Sequence, residues 1–469
     1  MFGELIMFLY LCTQNIIRNK CQNRVIMFER TILTQLREWK QDHFRKPLIL
    51  RGARQVGKTT VVNEFGKDFD NYLYFNLERD NDLKLLEMPV PLNDLVDMMF
   101  ARNGKKIRRG STLIFIDEIQ NSPKTIALLR FFYEERSDLH IVAAGSLLEN
   151  IVDIKASFPV GRVQYMALRP CSFMEFISAV GRNNLLEVLN NPNYTMAFHE
   201  ELMALFNQYT IVGGMPEVVQ RYAITHDMYV LDNVYETLIQ AYKDDVEKYV
   251  RGNKLTEVVR YILNTGWAKA GEAVTLGGFG ESQYGAREVG EAFRLLSKAM
   301  LLELVYPTTS SRVPALAELK RKPKLIWMDC GLVNYQAQAR KELIGADDIL
   351  DVWRGRIAEQ IVAQELLTLN SRVGETRSFW IKERNKAEVD FIFIHDSTVF
   401  PIEVKSGHNS RLRSLHSFID EAPVDIGIRV WSGNYSVEEH KTTIKGKPFK
   451  LINLPFYLIG RLPAILNSI

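Results

Sequence analysis

Short apolar runs separated by amphipathic segments mark the amino-terminal part of the chain. Residues 47–51, 111–116 and 139–144 are apolar and rich in β-branched side chains, which is typical of strands buried on both faces of a parallel sheet. Apolar residues recur at helical spacing over residues 32–39, and residues 60–65 are compatible with a helix. Buried strands that alternate with helices predict an α/β fold.

Longer helical patterns follow in the middle of the chain. Residues 231–250, 255–264 and 286–305 are predicted helices, and a glycine-rich connection joins the last two. The first of these helices contains the close acids Asp244, Asp245 and Glu247. We interpret them as a solvated helical face rather than a metal site, because no His or Cys accompanies them.

Strands and helices alternate again toward the carboxyl end. A basic run at residues 320–324 leads into an apolar strand at 325–328, and a helix is predicted at 354–369. Two apolar runs at residues 391–394 and 399–404, with a turn between them, predict a β-hairpin. This pattern predicts a second, smaller α/β unit.

The composition is that of a globular protein large enough for several domains. The chain has 469 residues, of which 46% are hydrophobic and 25% are charged, and about 150 residues per domain gives about three domains. These values exclude collagen-like, low-complexity and wholly disordered chains. Lys and Arg total 59 against 56 Asp and Glu, a net charge of +3, which neither requires nor excludes a nucleic-acid partner.

Cysteine spacing and hydropathy bear on the cellular location. The four cysteines are Cys12, Cys21, Cys171 and Cys330. They lie too far apart for a CxxC metal site or a disulfide framework, so we expect a reducing, cytoplasmic compartment. No run reaches about 18 apolar residues, so no membrane partner is expected. The first helical pattern starts just after Met27, and residues 1–26 are interpreted as a start-codon extension with little structure.

A glycine loop connects the first predicted strand to the next predicted helix. Its sequence, GARQVGKT at residues 52–59, is GxxxxGK[ST] in the strand, loop and helix context that this motif requires. Backbone N–H groups of such a loop surround phosphate oxygens, and the helix presents its positive end to them. We expect Lys58 to bridge the terminal phosphates and the Thr59 hydroxyl to hold Mg²⁺. The predicted nucleotide contacts here are Gly52, Ala53, Arg54, Gln55, Val56, Gly57, Lys58, Thr59 and Thr60.

Two adjacent acids follow the predicted strand at residues 111–116. The carboxyl ends of the strands are where an open α/β sheet binds its ligands. We expect Asp117 to hold the hydrated Mg²⁺ and Glu118 to deprotonate the attacking water. The alternative, a pair of solvated loop acids, is disfavoured by the nearby glycine loop. ATP and Mg²⁺ are therefore the predicted cofactors, and hydrolysis is the predicted reaction.

Two further polar residues are candidates for the same site. Ser146 follows the strand at residues 139–144 and is expected either to contact the γ-phosphate or the water, or to cap the next segment. Arg162 lies on a loop after the core strands. It is a candidate for stabilising charge in the transition state, in cis or from a neighbouring subunit, and the alternative is a surface salt bridge.

These motifs resemble the AAA-type P-loop ATPases of prokaryotes. The resemblance covers residues 27–175 and is closest to the subgroup that carries a carboxyl-terminal module of unknown function. Residues 213–217, GGMPE, resemble the GG-x-P-E element that opens this second module. The resemblance implies ATP hydrolysis, and ring-forming relatives imply a homo-oligomer as one arrangement.

The middle of the chain suggests a winged helix–turn–helix, which in the related family sits in this place. The helices at residues 255–264 and 286–305 would form the pair, and the basic run with its strand would form the wing. Such a module lays its second helix in the major groove of DNA and its wing on phosphates. Because the second helix mixes basic and acidic residues, DNA contact and a packing or protein-contact role both stay open.

Acids and one lysine gather in the carboxyl-terminal unit. Glu359 lies on the predicted helix, and Asp390 opens one strand of the hairpin. Glu403 and Lys405 alternate onto one face of the partner strand. A phosphodiester hydrolase needs acids that hold Mg²⁺ and a lysine that positions water or stabilises charge. The alternative is a solvated hairpin with scattered charges.

This arrangement resembles the PD-(D/E)xK nuclease superfamily over residues 350–430, with Val389 in place of the motif's proline. The implied metal ligands are Glu359, Asp390 and Glu403, and the implied catalytic residues are Asp390, Glu403 and Lys405. Members with this fold can lose nuclease activity and keep the acids. Nearby basic residues, interpreted either as a phosphodiester track or as a solvated helix face, are Lys405, His408, Arg411, Arg413 and His416.

The predicted architecture has three parts after the amino-terminal extension. A P-loop ATPase domain with a parallel sheet occupies residues 27–200, a helical and winged-helix connector 201–345, and a small α/β nuclease-like domain 346–469. The predicted function is a Mg²⁺-dependent ATPase whose nucleotide cycle controls the nuclease-like module. That module either cleaves DNA or is an inactive part of a switch that binds a protein partner. A regulatory partner with weak nucleotide turnover is a third alternative.

Overall fold

A five-stranded parallel sheet carries the glycine loop. The computed structural model describes residues 28–104, 111–145, 159–249, 252–344, 356–382, 387–405 and 412–469, so residues 1–26, Ser146, His408 and Arg411 lie outside the described residues. The strands are β1 Leu48–Arg51, β2 Asn71–Asn76, β3 Thr112–Asp117, β4 His140–Gly145 and β5 Gln164–Ala167, in the order β2-β3-β4-β1-β5. The helices of this part are α1 Ile32–Gln41, α2 Lys58–Phe65, α3 Asp80–Leu86, α4 Leu92–Arg102 and α5 Pro123–Glu135.

The three central strands of the first sheet are buried on both faces, as their apolar runs predict. Every residue of β1, β3 and β4 is buried. Because successive side chains point to opposite faces of a strand, Leu48 and Leu50 join one apolar cluster with α1 and α2, while Ile49 joins another with α3, α4 and α5. The α/β prediction for the amino-terminal part is confirmed.

Helices dominate the middle of the chain. They are α6 Phe173–Ala179, α7 Asn183–Leu189, α8 His199–Val212, α9 Pro216–Thr225, α10 Asp232–Tyr249, α11 Asn253–Thr265 and α12 Ala286–Lys298. The helix predicted over residues 286–305 ends early. Met300 adopts a left-handed φ of +59°, a conformation typical of the end of a helix, and the apolar residues beyond it form a strand.

A second, mixed sheet of eight strands forms the carboxyl-terminal part. Its strands are β6 Leu302–Thr308, β7 Lys324–Trp327, β8 Ser378–Ile381, β9 Glu388–His395, β10 Thr398–Lys405, β11 Ile426–Trp431, β12 Ser436–Lys441 and β13 Pro448–Pro455. The order is β12-β13-β11-β10-β9-β8-β6-β7. The accompanying helices are α13 Cys330–Gln336, α14 Arg340–Ile344, α15 Arg356–Thr368, α16 Arg413–Glu421 and α17 Leu462–Leu466.

The predicted wing and the predicted nuclease-like hairpin belong to this same sheet. β6 and β7 form the antiparallel pair expected of a wing, but β6 also pairs in parallel with β8, and β8 pairs with β9 of the other hairpin. The predicted boundary between residues 345 and 346 therefore runs through one continuous sheet. One apolar cluster joins α1 and β1 to the middle helices and to this sheet. Among the described residues, no helix is both long and apolar enough to span a membrane.

Candidate functional site

The glycine loop is a tight turn between β1 and α2. Gly57, just before the helix, adopts a left-handed φ of +92°, which glycine tolerates best. A side chain at Gly52 would place its Cβ 2.6 Å from the carbonyl oxygen of Leu168, so this position requires glycine. The buried Lys58 donates to the carbonyl oxygens of Gly52 at 3.0 Å and Ala53 at 2.9 Å. Burial lowers the pKa of Lys58 to about 8, and an anion in the loop would offset that cost.

The two predicted acids lie beside this loop. Thr59 donates its hydroxyl hydrogen to Asp117 Oδ2 over 2.7 Å, which joins the start of α2 to the end of β3. Burial raises the pKa of Asp117. Glu118 has a left-handed φ of +53°, and such a backbone costs about 1–2 kcal/mol in a residue with a side chain. The Glu118 side chain lines the cavity described below, and Gln120 donates a hydrogen bond to its carboxylate.

The residues at this point fit a magnesium ion. Mg²⁺ prefers oxygen ligands and is usually held by one or two carboxylates together with substrate phosphates. The hydroxyl of Thr59 and the carboxylate of Asp117 supply such oxygens next to the phosphate loop. Among the residues that the structure describes, no group of three or more His, Cys, Asp and Glu could hold a metal by itself. A magnesium ion here would thus depend on the nucleotide's own phosphates.

A cavity of about 760 Å³ opens over the loop. The loop, α2 and Glu118 form its floor. Its wall comes from two other segments, residues 28–37 at the amino end and Pro216, Glu217 and Gln220 of α9. The GGMPE element of the second module therefore helps to line the predicted nucleotide site, a contact that sequence spacing did not reveal.

Arg30 fastens the amino-terminal segment to the loop, and sequence reasoning missed it. Its guanidinium donates to the carbonyl oxygen of Val56 in the loop at 3.1 Å and to that of Arg169 at 2.7 Å. It also forms a buried ion pair with Glu175 on α6, with Nε 3.1 Å from Oε2. No local signal could identify this arginine, because its partners lie far along the chain.

Arg162 does not reach the nucleotide site of its own chain. It precedes β5, and the first residue of β5 pairs with Leu48 at the start of β1. The glycine loop follows the other end of β1. Arg162 Nε lies 3.2 Å from Glu134 in an exposed ion pair. The predicted role in cis is therefore wrong, and the surface salt bridge is what the chain forms. Action from a neighbouring subunit stays a prediction.

The acid-rich helix α10 contacts the loop instead of presenting only a solvated face. Asp245 forms an ion pair with Arg54 of the loop. Tyr242, one turn earlier, donates its hydroxyl hydrogen to the carbonyl oxygen of Arg54 at 3.2 Å. The prediction of a solvated face is wrong for Asp245, because the oppositely charged Arg54 of the loop pairs with it.

A second cluster forms where the sequence places Glu359, Asp390, Glu403 and Lys405. Lys405 Nζ lies 2.7 Å from Glu403 Oε1, and the backbone N–H of Val404 donates to Asp390 Oδ2 at 2.8 Å. Burial, reinforced by the negative charge of Asp390, raises the pKa values of Glu359 and Glu403 to about 7. Burial also raises the pKa of Asp390. The structure thus brings the four predicted residues together.

Lys324 also lies in this cluster, and sequence reasoning had assigned it to a basic wing. Its ammonium is 2.8 Å from Glu359 Oε2, 2.8 Å from Glu388 Oε1 and 3.7 Å from Asp390 Oδ1. Lys324 begins β7 and is buried, so it is not available to a nucleic-acid phosphate. Burial opposes its charge, but the three carboxylates outweigh that effect and raise the pKa of Lys324 above its ordinary value. With an ammonium among them, these carboxylates do not fit a divalent metal as arranged.

The predicted basic track is only partly open to solvent. Lys405 pairs with Glu403, and Arg413 begins α16. His416 packs edge-on against Phe449, with ring centroids 5.3 Å apart, and burial lowers its pKa. His416 is therefore a packing residue rather than part of an exposed phosphate-binding face.

A buried polar junction links the site to the carboxyl-terminal part. Asp329, fully buried, accepts hydrogen bonds from the N–H of Gly214 at 2.5 Å and of Leu332 at 2.9 Å, and so connects the GGMPE element to α13. On α15, Glu365 accepts from the N–H of Phe173 at 3.1 Å and from the hydroxyl of Tyr209 at 2.7 Å. Burial raises the pKa of Asp329 to about 6 and that of Glu365 to about 7.

Replacing Glu365 by Gln should flatten the pH dependence of stability. Folded Glu365 keeps its proton up to a pH of about 7, whereas the unfolded side chain releases it near about 4.3. The folded state thus binds more protons in this window, and its free energy of unfolding falls as the pH rises through it, by at most about 1.4 kcal/mol per pH unit. The glutamine keeps both acceptor contacts and lacks this titration.

The measurement is urea unfolding of both chains between about pH 5 and pH 8. The unfolding free energy of the wild type minus that of Glu365→Gln should fall toward high pH, because only the wild type loses this contribution. Glu187→Gln, at an exposed position, controls for the loss of one surface carboxylate. Parallel profiles for wild type and Glu365→Gln would contradict the assignment of a raised pKa to this buried group.

Three known domain families match successive parts of the chain. Residues 44–177 match an AAA domain. Residues 203–343 match the domain of unknown function DUF8612, and residues 354–457 match the domain of unknown function DUF4143. The predicted AAA-type ATPase domain is confirmed, and this fold implies binding of a nucleotide with a divalent metal.

The chain is similar to solved structures of two Pyrococcus ATPases. A Walker-type ATPase of Pyrococcus abyssi is 14% identical, with 66% of this chain and 96% of that one covered and a TM-score of 0.40. A signal transduction ATPase with a tetratricopeptide repeat sensor from Pyrococcus horikoshii is 12% identical, with 74% of this chain and 47% of that one covered and a TM-score of 0.27. No curated protein matches the sequence.

Proposed function

We propose that this chain is a Mg²⁺-dependent ATPase whose nucleotide cycle controls the carboxyl-terminal module. The match of residues 44–177 to an AAA domain supports this proposal. The observation that carries this proposal is the cavity of about 760 Å³ in which the glycine loop, the acid pair and α9 of the second module meet. A nucleotide bound there contacts the ATPase domain and the following module at once. Its hydrolysis therefore changes contacts on both sides.

Each residue at the cavity has a chemical role in this proposal. Lys58 leaves its backbone acceptors in the loop and binds the terminal phosphates. Thr59 and Asp117 hold Mg²⁺, which when bound neutralises negative charge on the phosphates. Glu118 accepts a proton from the attacking water, and Gln120 orients its carboxylate.

The path from nucleotide to module runs through contacts that start at the loop. Arg54 pairs with Asp245 of α10, and Arg30 joins the loop to Glu175. Phe173, two residues before Glu175, donates its backbone N–H to Glu365. A nucleotide shifts such a system only if it binds two conformations with different affinity. We infer that the ATP and ADP states differ in these loop contacts.

The role of the carboxyl-terminal module has two candidates. In the first, DNA lies on the wing and the nuclease-like cluster, and ATP turnover gates its cleavage. In the second, the module is an inactive nuclease-like fold that binds a protein partner, and the ion pairs of Lys324 inside the carboxylate cluster favour this version. We propose a cytoplasmic location for either, since Cys171 and Cys330 are buried free thiols, and homo-oligomer formation is part of the proposal.

Phosphate release by the purified chain tests the proposal. We expect turnover that requires Mg²⁺ and stops when EDTA removes it. The same reactions contain duplex or single-stranded DNA, and a gel reports nicking in Mg²⁺ and in Mn²⁺. Stimulated turnover with nicks supports the gated nuclease, and turnover with intact DNA supports the switch. Absence of any Mg²⁺-dependent turnover would contradict the ATPase itself.

A further inference from the structure

The carboxylate cluster of the second sheet is built around a lysine. Glu359 and Glu388 each place an oxygen 2.8 Å from the ammonium of Lys324, and an oxygen of Asp390 lies at 3.7 Å. The lysine side chain is only 5% exposed. Its ammonium also lies 4.9 Å from the centre of the Phe379 ring. A buried charge of this kind is tolerated only with compensating partners, and here they are acids from α15 and β9.

A lysine ammonium and a divalent cation compete for the same place. Distances of 2.8 Å are those of charge-assisted hydrogen bonds from nitrogen to carboxylate oxygen, whereas Mg²⁺ requires about six oxygens at about 2.1 Å. The ammonium of Lys324 takes one oxygen each of Glu359 and Glu388, and its positive charge lies 3.7 Å from an oxygen of Asp390, where it would repel a metal ion. Within the described ranges, no group of three or more His, Cys, Asp or Glu residues is arranged to hold a metal.

The backbone holds Lys324 in position from both sides. Lys324 pairs with Val305 of β6 on one side and forms a bridge to Ala273 on the other. Three residues along β7, the N–H and carbonyl of Trp327 bond the side chain of Gln360 at 3.0 and 2.7 Å. Gln360 is the neighbour of Glu359 on α15, so the strand that carries the ammonium and the helix that carries its acid are fastened together.

We propose that Lys324 is the resident cation of this cluster and excludes a divalent metal from it. The inference deepens the proposed function, because it decides between the two candidate roles of the module in favour of the one without metal-dependent cleavage. It does not depend on ATP hydrolysis. Binding of a metal at Glu359 and Asp390 would require the ammonium of Lys324 to leave these carboxylates.

Replacing Lys324 by methionine tests this exclusion. Methionine has similar length and no charge, so the acids lose their cation and become available to a metal. All chains carry Asp117→Asn, which weakens the metal site of the glycine loop. Bound Mn²⁺ is counted by electron paramagnetic resonance, with no nucleotide present. Lys322→Met, at an exposed position two residues earlier, is the matched control.

We expect no Mn²⁺ at the cluster in the Asp117→Asn chain or in the Lys322→Met control, and one Mn²⁺ per chain after Lys324→Met. Adding Asp390→Asn should abolish the gained site. Mn²⁺ should also raise the melting temperature of the Lys324→Met chain alone. If that chain does not fold, Lys324→Met with Glu388→Gln relieves the repulsion between the acids and should gain the same ion.

Two results would overturn the inference. One is Mn²⁺ bound to the Asp117→Asn chain and lost when Asp390→Asn is added, because the metal would then share the cluster with Lys324. The other is a folded Lys324→Met chain that gains no ion. ATP turnover, measured in chains that keep Asp117, reports separately on the proposed ATPase, so failure of one proposal does not resemble failure of the other.

Discussion

Glu118→Gln should slow ATP hydrolysis by about 10²- to 10⁴-fold and leave ATP bound. A positioned general base contributes a factor of this size, and a glutamine has the same shape but cannot accept a proton. The contacts that would bind the phosphates belong to the loop and not to Glu118, so nucleotide affinity should be retained. Single-turnover hydrolysis, with identification of the nucleotide that stays on the protein, measures both effects.

The trapped nucleotide distinguishes a lost base from a damaged site. Glu118→Gln should retain ATP where wild type retains ADP. Glu135→Gln, an exposed position at the end of α5, removes one carboxylate from the same domain and should hydrolyse ATP like wild type. If Glu118→Gln turns over at the wild-type rate, the water is activated by a different group, and the left-handed backbone at Glu118 needs another explanation.

Lys58→Ala should weaken ATP binding by about 10²-fold or more. Loss of one partner from a buried charge pair costs about 2–5 kcal/mol, and each 1.4 kcal/mol is a factor of ten in affinity. Among the described residues, this ammonium donates hydrogen bonds to two backbone carbonyl oxygens, and burial depresses its pKa to about 8. Removing it should therefore cost the free protein little stability while removing the main cation for the phosphates.

Titration with a fluorescent ATP analogue and thermal melting separate these two effects. Lys67→Ala is the matched control, since Lys67 follows α2 and pairs with nearby Glu64 at an exposed position. The control should bind nucleotide as wild type does. Near wild-type affinity in a folded Lys58→Ala chain would show that the loop is not the phosphate site.

The phosphate loop and the acid pair could be predicted because their chemistry is local in sequence. Eight consecutive residues define the loop, and Asp117 and Glu118 are adjacent at the end of a recognisable buried strand. Neither depends on a distant partner. The ion pair between Arg30 and Glu175 is different. It arises only when the segment before α1 meets α6, and nothing near Arg30 in sequence indicates its partner.

The second cluster shows the same limit in another form. Glu359, Asp390, Glu403 and Lys405 were found because a hairpin brings Asp390 beside the strand on which Glu403 and Lys405 share one face. Lys324 was grouped with its basic neighbours, since sequence cannot show which lysine of a run turns inward. The burial of each position in the folded chain determines which lysine turns inward. Residues 320–322 are exposed, whereas Lys324 begins a strand that is buried at every position.

The pairing of β6 with β8 also determines which pieces of this chain can exist alone. A fragment that begins at residue 346 keeps β8 but loses β6, so the backbone N–H and C=O groups on that side of β8 have no partner. It also loses Lys324, the cation beside Glu359 and Asp390. A fragment that starts at residue 346 is therefore not an independent folding unit that can be moved into another protein. The smallest transferable unit includes the hairpin β6–β7.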